Sequence, residues 1–309
     1  MSLARRQHVA MQRMDGFAVA DEPLAPFTTY KVGGPALVFA TPRTAAELQT
    51  LAHVVQETGL AVLVVGRGSN LLVADGGFAG IAVSLSAMPD WIEFDDCTVT
   101  AGATVALPVL ARRCVAAGLV GFEWAVGVPG SVGGAVRMNA GGHGSDMAAS
   151  LVGAHVLDLH TAVVAWVLAD QMDLQFRSSN LRDHQVVLDA RLQLSTGDVA
   201  EAEANLSEIV RWRREHQPGG QNAGSVFVNP IPGELPAAVL VDQLGLRGFR
   251  IGGAFVSDKH ANFIQATDGA TAADVRAVME HVRTAVREST GFELRSEVRL
   301  VGFAGSGAQ

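Results

Sequence analysis

The sequence predicts an α/β protein with a second, C-terminal unit. Helices alternate with short apolar strands from about residue 20 to 195, and two glycine-rich segments interrupt that alternation. A long polar helix then leads into further helices and a last strand. The segment "TAAELQTLAHVVQETG" (44–59) places Glu47 three residues after Thr44, a capping-box spacing, and then repeats apolar residues at helical intervals. The apolar "LAVLVV" (60–65) follows as a strand, then the loop "GRGSN" (66–70), the strand "LLVA" and a second strand, "GIAVSL" (80–85). "CTVTAGA" (97–103) reads as a strand and "VALPVLARRCVAAGL" (105–119) as a helix; "GVPGSVGGAVRMNAGG" (127–142) reads as loop. "SLVGAHVLDL" (150–159) and "QVVLDARLQLS" (185–195) alternate apolar and polar residues, as half-buried strands do.

The polar helix at 198–218 stops at Pro218 and marks a boundary. Beyond it "ELPAAVLVDQLG" reads as a helix, and 271–291 as an amphipathic one with Val275, Val278, Met279, Val282 and Val286 on one stripe. Thr271 and Asp274 start that helix and Gly291 ends it. The last strand, 292–300, puts Phe292, Leu294, Val298 and Leu300 on one face and Glu293, Arg295, Glu297 and Arg299 on the other.

Composition narrows the function classes. At 309 residues, 49% hydrophobic and 17% charged, the chain is ordinary globular material. Its net charge of −8 argues against a nucleic-acid partner, and only Lys31 and Lys259 among its 23 basic residues are lysine. The longest apolar run, "AVVAWVLA" (162–169), falls short of a membrane span, and the N-terminus lacks the apolar core of a signal peptide, so a cytoplasmic protein is expected. Cys97 and Cys114 form neither a disulfide framework nor a C-x-x-C pair and read as buried free thiols. No metal site is expected: His155 and His160 point to opposite faces of a strand, and His143 and Asp146 decorate a glycine loop.

Glycine inside regular structure costs roughly 0.5–1 kcal/mol relative to alanine, so glycine-rich segments need a backbone reason. "GRGSNLLVADGG" has G-x-G after a strand but runs into another strand, and the third glycine of a dinucleotide fingerprint is missing. Gly66, Gly68, Ser69 and Asn70 nonetheless offer successive N–H groups and short polar tips to an anion. The second segment offers Gly127, Gly130, Ser131, Gly133, Gly134, Asn139 and Gly141. An ordinary surface turn is the alternative for either loop alone; together they suit a ligand with a diphosphate and a flat ring.

The ordered set "VVGRGSNLLV", "GVPGSVGGAVRMNAGG", "FRSSNL", "NAGSVFVNP", "VSDKHANFI" and "SEVRLVG" runs over nearly the whole chain. It resembles the UDP-N-acetylenolpyruvoylglucosamine reductase (MurB) family, flavoenzymes that complete UDP-N-acetylmuramic acid in bacterial wall synthesis. The resemblance implies a vanillyl-alcohol-oxidase-type (PCMH-type) FAD fold. In it an FAD-binding region at 1–197, with α/β subdomains at about 20–90 and 91–197, precedes an α+β substrate domain at 198–309. It also implies that both glycine loops hold FAD, with Arg67 and Leu71 in the first and Pro129 in the second, and that NADPH is the reductant. No membrane partner is expected, and a monomer is favoured.

By the same resemblance the reaction adds a hydride to the methylene carbon of an enolpyruvyl ether and a proton to the carbon bearing the carboxylate. Arg177 in "FRSSN" matches the arginine near the developing charge, where its planar fork fits two carboxylate oxygens. Ser225 matches the proton donor, and Glu297 the glutamate that polarises the enol carboxylate. Asn229, His216, Lys259 and His260 correspond to substrate-side positions. The chain departs from the family pattern at Phe176, where tyrosine is frequent, and at His216 and Val228, where lysine is. An FAD oxidase of the same fold and a non-catalytic flavin or UDP-sugar binding module are the competing readings.

Overall fold

The computed structural model of the chain describes residues 1–231 and 233–303. It divides into two compact units, each built from several stretches of sequence. The first comprises residues 1–21, 37–67 and 80–213; the second comprises residues 22–36, 68–79 and 214–309.

In the first unit, helix α1 (Leu3–Arg13) precedes α2 (Ala45–Thr58). The Thr44 hydroxyl accepts the Glu47 N–H at 3.2 Å, as the spacing predicts, but the Glu47 carboxylate returns to the Arg43 N–H at 2.6 Å. The helix ends at Gly59 in the left-handed region, φ +60°. Strand Val62–Val64 pairs in parallel with residues 81–83, and the apolar side of α2 buries Leu51, Val54 and Val55. A five-stranded antiparallel sheet forms the rest of the frame. Its order is Val163–Leu168, Leu151–Asp158, Gln185–Gln193, Thr98–Gly102 and Ile92–Asp95. Helix α3 (Leu107–Ala116) adds Leu107, Leu110 and Ala111 to the core, along with Cys114, whose thiol is pushed up to about 12, chiefly by burial.

The glycine-rich segment differs from the expected loop. Residues Val132–Met138 form α4, with Gly133 and Gly134 in its first turn. Tertiary bonds outweigh weak helix propensity here: the Val132 and Gly133 N–H groups donate to the Val105 and Ala103 carbonyls at 3.0 and 2.9 Å. Among the described residues no side chain caps this helix; Asn139, φ +39°, ends it. Helix α5 (Val199–His216) closes the unit and, from Arg214 onward, belongs to the second.

The second unit contains α6 (Ala237–Gln243), α7 (Ala272–Thr290) and an antiparallel sheet of Arg250–Ile251, Ala254–Val256 and Ile264–Ala266. The predicted α7 stripe is buried, each residue at most 1% exposed. Its capping box is complete, with Thr271 and Asp274 bonding each other's N–H groups at 3.0 and 3.1 Å. The Asp75 carboxylate accepts the next two free N–H groups, of Ala272 and Ala273, at 2.8 and 2.9 Å. Regular strand at the C-terminal end is confined to Arg299–Val301, parallel to Leu71–Val73, rather than running over 292–300. Leu294 and Val298 are buried as the alternation predicts, but the Ser296 hydroxyl donates to the Val298 carbonyl at 2.8 Å, a local bond that competes with the ladder.

Candidate active site

In the first unit Gly66, at the start of the first glycine segment, lies against the second segment. A Cβ on Gly66 would sit 3.1 Å from the Ser131 hydroxyl oxygen. The glycines themselves fall into two kinds. A Cβ on Gly133 would lie 2.9 Å from the Ala103 Cβ, and one on Gly141 2.6 Å from the Asp146 Cβ, so packing within the protein dictates both. On Gly130 and Gly134 the nearest atoms would be 3.6 and 3.7 Å away, which is ordinary contact, so the protein leaves both positions roomy. Among the described residues, the N–H groups of Gly130, Ser131 and Gly134 meet no protein acceptor in the turns and caps of this segment. Uncrowded glycines with unengaged N–H groups suit an anionic, planar ligand that approaches the backbone closely, and in that respect the residues fit a flavin nucleotide.

The remaining first-unit candidates support this segment. The buried Asn139 donates to the Asp146 carboxylate and the Gln175 carbonyl, both at 3.1 Å, and accepts the Ala148 N–H at 2.9 Å, so its amide serves the protein. Gln175 and Ser178 exchange backbone bonds of 3.0 and 3.1 Å around Phe176 and Arg177, a tight turn in which Arg177 takes φ +56°. The Arg177 guanidinium carbon lies 4.9 Å from the half-exposed Phe176 ring, and its Nη1 lies 3.0 Å from a Cβ built on Gly141. The arginine therefore stands against the second glycine segment. Gly127 packs on Ile209 and on His143, whose imidazole meets Trp212 edge-on at 5.2 Å. Burial, then the Arg213 charge, holds His143 below its usual range.

In the second unit, Gly68 takes φ +60° and a Cβ there would fall 2.0 Å from the Phe27 carbonyl oxygen, so glycine is required by the fold itself. Among the described residues the Gly68, Ser69 and Asn70 N–H groups meet no protein acceptor, a short nest of donors beside Arg67. The Asn70 side chain donates to the Glu297 carbonyl at 3.0 Å, and its own carbonyl accepts the Arg299 N–H at 3.0 Å. Leu71 begins the strand after the nest and is buried. Ser225 lies on an extended segment flanked on both sides. The Glu297 N–H donates to the Val226 carbonyl at 2.8 Å, and the Val226 N–H to the Asn262 carbonyl at 2.8 Å. Ser225 and Glu297 thus occupy neighbouring segments of one unit.

Asn229 accepts the Ala237 N–H at 3.0 Å and so fixes the start of α6. Lys259 donates through Nζ to the Arg214 carbonyl, in the last turn of α5 where His216 also lies. Burial, then the Arg247 charge, with His216 adding to it, holds His260 below the ordinary histidine range. Sequence reasoning missed the bracing role of Asn262, which lies 4% exposed and bonds both backbone groups of Phe227. A polar residue between the apolar Ala261 and Phe263 was the available signal. Among the described residues no three histidine, cysteine or acidic groups are arranged to hold a metal; His155 pairs with Asp189 at 2.9 Å, and His160 stacks on His184 at 3.8 Å.

Residues 216–301 match the family model described as UDP-N-acetylenolpyruvoylglucosamine reductase, C-terminal domain, and residues 36–165 match the FAD binding domain. The UDP-N-acetylenolpyruvoylglucosamine reductase of Heliobacterium modesticaldum is 44% identical over 92% of this chain and 90% of its own length. The chain belongs to the UDP-N-acetylenolpyruvoylglucosamine reductase family. The family's Bacillus subtilis member is 40% identical over 94% of this chain and 96% of its own. The crystal structure of the Thermus caldophilus reductase superposes with a TM-score of 0.77 at 32% identity, covering 92% of this chain and 98% of that one. The grass-pollen protein Phl p 4.0202, a glucose dehydrogenase, shares only the fold, at a TM-score of 0.50 and 12% identity over 72% of this chain and 52% of that one. The vanillyl-alcohol-oxidase-type FAD fold expected from the motifs is therefore the fold of the family and of this chain.

Proposed function

We infer that the chain reduces UDP-N-acetylglucosamine enolpyruvate to UDP-N-acetylmuramate with NADPH, as an FAD-dependent enzyme of peptidoglycan precursor synthesis. The two glycine segments would hold FAD, which when bound would supply the hydride chemistry between NADPH and the substrate's methylene carbon. The protein must then hold an electron-rich, enediolate-like substrate and protonate the carbon that bears its carboxylate.

In this reading Arg177 pairs its fork with the substrate carboxylate, and the rigid 175–178 turn fixes the direction of the guanidinium. Ser225 gives up its hydroxyl proton to the carbanion. A hydroxyl is too weak an acid for most acceptors, so the step requires a strongly basic carbon and a fixed donor. Glu297 polarises the enol carboxylate from the adjoining segment. The observation that supports these two roles most is the 2.8 Å bond from the Glu297 N–H to the Val226 carbonyl, which sets Glu297 beside the serine segment.

The N–H groups of Gly68, Ser69 and Asn70 and those of Gly130, Ser131 and Gly134 hold the cofactor, with Gly66, Arg67, Leu71, Gly127 and Pro129 lining them and Gly133, Asn139 and Gly141 shaping the second segment. Asn229, His216, Lys259 and His260 lie on the substrate side of the site, with His216 standing where the family's diphosphate-side lysine is frequent. Residues 1–197 act as the cofactor region and 198–309 as the substrate domain. The enzyme works in the cytoplasm, where NADPH and nucleotide sugars are made. As a monomer it would draw every candidate group from one chain. Among the described residues no helix is long and apolar enough to cross a membrane.

The test separates the half-reactions by stopped flow. Ser225→Ala should leave flavin reduction by NADPH near the parent rate and slow flavin reoxidation by the enolpyruvyl substrate by about 100-fold or more, within the usual range for a lost proton donor. Equal losses in both half-reactions would remove Ser225 from the proton-donor role.

A further inference from the structure

We propose that Asn262, held by His260, is a positioning residue for Ser225, its side-chain amide standing in for a missing strand neighbour. The inference rests on reading Ser225 as the proton donor.

The segment 225–228 is not part of a regular sheet, yet its backbone must be held rigidly for a hydroxyl to point at one carbon. Glu297 and Arg295 engage one edge, the Val228 N–H donating to the Arg295 carbonyl at 2.9 Å. On the other edge the regular strand begins only at Ile264. Phe263 bridges Ser225 just before it, but on this edge no backbone partner follows opposite Phe227 among the described residues, and the Asn262 side chain fills that gap. Its Oδ1 accepts the Phe227 N–H at 3.0 Å, its Nδ2 donates to the Phe227 carbonyl at 2.8 Å, and its own carbonyl accepts the Val226 N–H at 2.8 Å. A carboxamide carries one acceptor and a donor in the same plane, as a peptide does, so the two side-chain bonds reproduce a ladder pair. Phe227 is 1% exposed, so water does not replace them.

His260 sets the amide in turn. Its Nδ1 accepts the Asn262 N–H at 3.2 Å, and its ring meets Phe263 edge-on at 4.8 Å. An N–H aimed at Nδ1 assigns the neutral ring with its proton on Nε2. The same histidine therefore orients the backbone that carries the clasp.

The test uses the FAD-loaded enzyme, chemically reduced without oxygen and mixed with UDP-N-acetylglucosamine enolpyruvate while flavin reoxidation is followed. Melting temperature and flavin content are checked for every variant. Asn262→Asp keeps the acceptor and loses the donor. It should slow reoxidation by about 10- to 100-fold, the scale of a reacting group displaced by about 1 Å, with substrate affinity within about threefold of the parent. In the Ser225→Ala background the same substitution should change the rate less than about threefold, because the group it positions is already gone. Equal slowing in both backgrounds would show that Asn262 acts elsewhere and overturn the inference. His260→Leu should reproduce the slowing, and His260→Asn, whose Oδ1 replaces Nδ1 as acceptor, should recover most of it; matching losses in the two would also overturn it. If Asn262→Asp fails to fold, the His260 pair decides, measured in both the parent and the Ser225→Ala backgrounds: a slowing confined to the parent background supports the inference, and equal slowing in both overturns it. A Ser225→Ala enzyme with the parent rate removes the proton-donor reading and the inference together. A slow Ser225→Ala beside a parent-like Asn262→Asp removes only the inference.

Discussion

Replacing Gly134 with alanine should move stability and cofactor affinity in opposite directions. Gly134 lies in the first turn of α4, and the nearest atom to an added Cβ is the Ser131 hydroxyl oxygen at 3.7 Å, so the protein itself accepts the methyl. Alanine is better than glycine inside a helix by about 0.8–1.0 kcal/mol. For a chain of this size that corresponds to a rise of about 2 °C in the apo melting temperature. The same methyl enters space assigned to the flavin nucleotide and should weaken FAD binding by about tenfold, or ~1.4 kcal/mol. Gly133 is the control. It gains the same helix propensity, but a methyl there falls 2.9 Å from the Ala103 Cβ, an overpacking cost of about 1–3 kcal/mol, so Gly133→Ala should melt at or below the parent temperature. Thermal melts of the apo proteins and FAD titrations by fluorescence quenching measure both quantities. Unchanged FAD affinity in Gly134→Ala would refute the cradle.

Arg177→Lys keeps the charge and loses the fork, and should lower kcat by about 10- to 100-fold, a loss of about 1.4–2.7 kcal/mol of transition-state stabilisation read from steady-state kinetics. Asp75→Ala removes the acceptor of the Ala272 and Ala273 N–H groups at the start of α7 and should destabilise the protein by about 1–2 kcal/mol in denaturant titrations. His260 has its pKa lowered in the folded state by burial and then by the Arg247 charge, so the unfolded chain binds its proton first as pH falls. Stability should hold above about pH 6.5, the unfolded histidine value, and decline as pH falls through the lower folded value. His260→Leu should flatten that slope in melts taken from pH 7.5 to 5, as an order-of-magnitude window around the unfolded value.

Legibility in the sequence followed how local each signal was. The α7 stripe and its Thr271–Asp274 box are set by neighbours in the chain, and the structure carries both. Helix α4 was illegible because its first two N–H groups bond to Ala103 and Val105, far back in sequence, and so offset the two glycines. The strand expected over 292–300 shrank because alternation reports which face is buried and not how regular the pairing is: residues 295–297 pair with the short segment 226–228, and regular strand is confined to Arg299–Val301. Both glycine segments were visible in the sequence. Which glycines serve the fold, as Gly68, Gly133 and Gly141 do, and which would admit a methyl in ordinary contact, as Gly130 and Gly134 would, depends on contacts that no spacing encodes. The asparagines show the same limit. Asn70, Asn139, Asn229 and Asn262 all sit in motifs that suggest ligand contact, and each uses its amide to hold backbone.

The decisive measurement is the absorbance of the FAD-loaded protein under strict exclusion of oxygen, first with NADPH and then with UDP-N-acetylglucosamine enolpyruvate. The visible flavin band should bleach on the first addition and return in full on the second, with one equivalent of UDP-N-acetylmuramate formed per flavin. Bleaching that only oxygen reverses would point to an oxidase, and absence of bleaching to a binding module; either result would contradict the assigned reaction.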